Sequence, residues 1–71
     1  MLKMFVEEMR KFLDGEEKFN EIDFNMLVED IARLILRDRR ELEELESFDE
    51  QEIALNCLSE YQSWVSVKSA A

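Results

Sequence analysis

Any chemistry in this chain has to come from eighteen acids, nine basic residues and a single cysteine, because it has no histidine. Seven of the acids stand in residues 41–52 (ELEELESFDEQE), a segment without a base. A calcium loop needs acids at alternating positions around a glycine, and this segment has no glycine. The di-metal pattern of helical bundles needs Glu-x-x-His, which this chain cannot supply. Carboxylates that share acid–base work sit in different environments facing one cleft. Here they fall opposite the apolar stripes and belong to solvated faces. Cys57 is the one candidate nucleophile. A reactive thiol needs a neighbouring cation or base, but Cys57 lies on an apolar stripe beside Leu58, and the next base downstream is Lys68. That placement predicts a small buried hydrophobe. The expectation is a non-enzyme with no catalytic residue, metal, cofactor or small-molecule substrate.

The arginines carry a sharper signal. Arg33, Arg37 and Arg40 recur at i, i+4 and i+7, and with Arg39 they oppose a single acid, Asp38. They form a basic ridge in an acidic protein. Guanidinium binds phosphate or carboxylate in two-pronged fashion, so the ridge suits either ligand. The plainer reading pairs Arg33 with Glu29, Arg37 with Glu41 and Arg40 with Glu44 along one helix, the last two in the less favourable base-first order. A helix-turn-helix DNA reader is not expected, because its recognition helix would open on Asp49, Glu50 and Glu52, where the duplex presents phosphates.

The elements that position these residues are helices. In residues 2–14, Leu2, Phe5, Val6, Met9, Phe12 and Leu13 share a face, and Gly15 suits the residue just past a helix end. Residues 15–22 read as a compact linker. Asp23 is a candidate N-cap with Ile22 and Leu27 as its hydrophobic staple, and the apolar pattern then runs without a breaker to Glu46. A third helix is expected over 50–66. Asp49 with Glu52 is a capping box with Phe48 and Ile53 as its staple, and Ser47 with Glu50 is an overlapping alternative. Residues 67–71 are expected to fray.

The predicted fold is therefore all-α: one domain over 1–71, a three-helix up-down-up unit with a long central helix over 23–46, assembling into a dimeric helical bundle. At 71 residues and a net charge of −9, a single core of this size is marginal and favours self-association. The acidic balance argues against general nucleic-acid binding. No run is long enough to span a membrane, and Glu7 and Glu8 interrupt the stretch a signal peptide would keep apolar, so a cytoplasmic location is expected.

Trp64, Met4, Met26, Leu36 and Leu55 fit none of the primary stripes, which points to a second buried surface. The functional expectation is a small acidic protein-interaction module, a homodimeric adaptor or regulator packed through the second and third helices. Its partner-binding residues would be Arg33, Arg37, Arg40, Glu41, Glu43, Glu44, Glu46 and Trp64. The alternative is a stoichiometric inhibitor whose carboxylates stand in for phosphates on a basic nucleic-acid-binding protein.

Overall fold

The computed structural model describes residues 1–16, 18 and 20–70, the last three of these by backbone alone. It is all-helical, with no strand among the described residues: α1 (Leu2–Leu13), α2 (Glu21–Arg37), a 3₁₀ segment (Arg39–Glu44) and α3 (Phe48–Ala70). The three α-helices share one core. Leu2, Val6 and Met9 enter it from α1, Leu27, Val28, Ile31, Ala32 and Ile35 from α2, and Ala54, Cys57 and Leu58 from α3. No polar or charged residue among those described is buried with them, so burial of apolar area is what holds the unit together.

α1 ends as its sequence predicts. Gly15 takes φ +76°, its amide donates to the Phe12 carbonyl at 3.2 Å, and the Glu16 amide donates to the Lys11 carbonyl at 3.0 Å. These two bonds are those of a Schellman motif, and the positive φ is why a glycine stands there. Glu17 and Phe19 of the expected linker lie outside the described residues.

α2 starts earlier than expected. Asn20, not Asp23, is its cap: the Asn20 side-chain oxygen accepts from the amides of Ile22 at 3.0 Å and Asp23 at 3.3 Å. Asparagine caps as well as aspartate. This start also sets Phe24 edge-on against Phe12, with ring centroids 6.2 Å apart, a favoured aromatic geometry. Ile22 is 71% exposed rather than stapled.

The expected central helix over 23–46 is not formed. α2 stops at Arg37, and Asp38 adopts extended backbone (φ −154°, ψ 106°) while its side chain accepts from the Arg40 amide at 3.0 Å. Aspartate competes with the helix for backbone amides, and here it caps the 3₁₀ segment instead of continuing α2. The turn has a packing consequence, since Leu45, which a straight helix would carry past its neighbours, is buried to 2% exposure.

α3 starts on the second of its two candidate caps. The Ser47 hydroxyl accepts from the Glu50 amide at 3.0 Å, and the Gln51 side-chain amide donates back to the Leu45 carbonyl at 3.0 Å. The helix runs through the stretch expected to fray and reaches Ala70; Ala71 lies outside the described residues.

The order of neighbours follows from these ends. Met1 and Arg37 line one cavity, Phe12 lies against Phe24, and Leu13 and Asp14 line another cavity with Asp49 and Ile53. Segment 38–47 thus carries the chain back along α1, and α3 begins beside the start of α2. Short connections would instead have alternated the helix directions.

Candidate functional site

The break at Asp38 divides the arginine ridge. Arg33 and Arg37 remain on α2, while Arg40 turns away with the 3₁₀ segment. Arg33 keeps the ion pair expected of it, Nη2 lying 2.7 Å from Glu29 Oε1 in the favourable acid-first order. The Tyr61 hydroxyl and then the Glu29 carboxylate raise its already high pKa. Arg37 borders an open cavity of about 270 Å³ with Met1, Phe5, Asp30 and Leu34. Arg40 grips Asp38 with two prongs, Nε to Oδ1 at 3.2 Å and Nη2 to Oδ2 at 3.4 Å, and this holds the Asp38 carboxyl below its ordinary range. The expected Arg37–Glu41 and Arg40–Glu44 pairs are absent among the described residues, since both needed an unbroken helix.

The acidic corner is divided as well. α1 has no side-chain cap of its own and no acid in its first turn. Two carboxylates of the 3₁₀ segment fill that role from a distance. Glu41 Oε2 accepts from the Leu2 amide at 3.2 Å, and Glu44 accepts from the Met1 ammonium at 3.0 and 3.1 Å. The ammonium chiefly lowers the Glu44 pKa, with the amides of Lys3 and Leu2 adding to the effect. Anions at a helix start satisfy free amides and complement the dipole. Glu41 and Glu44 therefore work inside the fold, whereas Glu43 and Glu46 are exposed.

Trp64 is half-buried and packs, with Tyr61, on the edge of the core. The other residues that fit no primary stripe are exposed: Met4 by 60%, Met26 by 58%, Leu36 by 55% and Leu55 by 45%. Two more exposed hydrophobes are Ile22 and Phe48, which sequence spacing places in staples. For Ile22 the signal was present and unused, because it shares a helix face with Met26.

Cys57 is buried, and desolvation, then the Glu60 charge, pushes its pKa up to about 11. So high a pKa leaves little thiolate at neutral pH. It borders an apolar cavity of about 350 Å³ with Met9, Leu13, Phe24, Val28 and Ile53. No cluster of metal-ligating side chains occurs among the described residues, and no helix among them is long and apolar enough to cross a membrane. Set against family models, curated proteins and solved structures, the chain matches none.

Proposed function

We propose that the chain is a small acidic protein-interaction module without catalytic activity, working in the cytoplasm as a homodimeric helical adaptor or regulator. The observation that carries this reading is exposed apolar surface on a unit that already has a complete core. Ile22, Met26 and Leu36 on α2 and Leu55, Val65 and Val67 on α3 are all at least 42% exposed. Single exposed hydrophobes are ordinary, but such a set on two helices of so small a chain favours a partner surface. The phosphate-mimic reading has less support, because Glu41 and Glu44 hold the start of α1 and leave Glu43 and Glu46 to imitate a backbone. The test is the solution mass by light scattering behind size exclusion, at low salt and at 0.5 M salt. The expected mass approaches twice the 8.5 kDa of one chain at low salt and falls toward one chain at 0.5 M salt. A single-chain mass in both buffers rejects self-association.

A further inference from the structure

Ile22, Met26, Glu29, Arg33 and Leu36 follow one another along α2 in steps of four and three residues, the spacing of a coiled-coil seam. This line lies on the side of α2 opposite the buried Leu27, Ile31 and Ile35. Its members are open to solvent: Ile22, Met26 and Leu36 are more than half exposed, and the Arg33 and Glu29 side chains are 66% and 40% exposed. α2 thus has two seams, one used by its own core and one unused. We infer that the unused seam receives a second copy of this chain, with the two α2 helices antiparallel about a two-fold axis that crosses the seam midway between Glu29 and Arg33. This rests on the self-association proposed above and adds its face and its register.

Charge decides the direction. The first half of α2 carries Glu21, Asp23, Glu29 and Asp30, and the second half carries Arg33 and Arg37. A parallel pair would set acid on acid and arginine on arginine, whereas an antiparallel pair can set Glu29 on the partner subunit's Arg33 twice at its centre. With the axis there, Met26 meets Leu36 of the partner subunit and Glu29 meets Arg33 of the partner subunit. The 2.7 Å pair that Arg33 makes within its own chain then becomes one edge of a four-membered ring of charges. Asp30 lies beside the axis with its copy, within reach of the same two arginines. Apolar contact is confined to the two ends of the seam, which is little for a permanent dimer, so the association is weak and salt-sensitive, on the order of micromolar.

The register is tested by charge reversal and mixing. Glu29→Arg and Arg33→Glu each place like charges across the axis, and each weakens the dimer at least tenfold while helix content by circular dichroism stays unchanged. Mixed in equal amounts, the two variants complement each other, and dimer returns to within about threefold of the wild-type affinity. Leu36→Glu supplies a second weakened form should either charge variant lose helix content. A wild-type dimer that none of the three substitutions weakens removes the α2 seam and leaves self-association standing. Two weakened variants that stay apart on mixing overturn the Glu29–Arg33 register. A wild-type chain that remains single at about 1 mM removes both the seam and the self-association on which it rests.

Discussion

The carboxylate of Glu41 accepts a hydrogen bond from the amide of Leu2 at 3.2 Å, across thirty-nine positions of sequence. The first helix of the protein is capped by a segment that follows the second. This contact explains why the chain turns at Asp38: a helix running straight on would carry Glu41 and Glu44 away from α1 and expose Leu45. Glu41→Ala should therefore cost about 1 kcal/mol, the usual loss on removing a cap, whereas Glu43→Ala, on an exposed side chain, should stay within about 0.5 kcal/mol of wild type. Urea titrations of the two variants measure the difference. Equal midpoints would mean that the contact does not support the fold.

Asp38 and Glu44 make stability depend on pH. Arg40 holds the Asp38 pKa below the ordinary carboxylate value, and the Met1 ammonium does the same for Glu44. For a depressed carboxylate, the stabilisation is complete above the unfolded pKa, about 4, and disappears as pH falls through the lower folded value. The thermal midpoint should thus drop between about pH 5 and pH 3, and a doubly substituted Asp38→Asn, Glu44→Gln chain should drop less. An identical fall in both chains would exclude these two groups as its source.

Cys57 should react slowly. With its pKa at about 11, on the order of one thiol in a thousand is ionised at pH 8, and the side chain is 6% exposed. Labelling by a maleimide or by iodoacetamide should be slow in the folded protein and rapid in urea. Fast labelling of the folded chain would contradict the packed position given to this residue.

Ile35 is fully buried, whereas its neighbour Leu34 is only half-buried. Ile35→Ala should cost roughly 2–5 kcal/mol, a large part of the roughly 4–10 kcal/mol expected for a domain of this length. Leu34→Ala should cost clearly less. Comparable losses would mean that the core does not lie on the Leu27–Ile31–Ile35 side of α2.

Gly15 isolates a backbone effect. A Cβ there would touch nothing within 4 Å, but the φ is +76°. Gly15→Ala should cost about 1 kcal/mol from the left-handed conformation alone, and Gly15→Asn less, since asparagine tolerates that region. No loss from alanine would argue against the Schellman ending of α1.

The parts of this fold that sequence reasoning reached are those decided by near neighbours. The stripe of α1 and its glycine stop are local, and so is the Arg33–Glu29 pair. Ser47 and Asp49 competed on equal local terms, and the bond from Gln51 to the Leu45 carbonyl belongs to the arrangement with Ser47 as cap. The break at Asp38 had one local signal, an aspartate able to cap the segment that follows it, and no proline or glycine stop to outweigh the unbroken apolar pattern. Its causes are the burial of Leu45 and the uncapped start of α1, both contacts with distant residues. The same break divided the expected partner site, withdrawing Arg40, Glu41 and Glu44 into structural roles. Met26 and Leu36 fitted no stripe because they lie on the face of α2 turned away from the core, where both are exposed.

On the proposed reading, a second copy fills this face. Sedimentation velocity across a concentration series, from about 10 µM to about 1 mM at low salt, tests it most directly. A mass rising from one chain toward two, with the rise abolished in a Met26→Glu, Leu36→Glu variant of unchanged helix content, is the predicted result. A wild-type chain that sediments as a single 8.5 kDa species throughout, or a variant that associates as well as wild type, would contradict it.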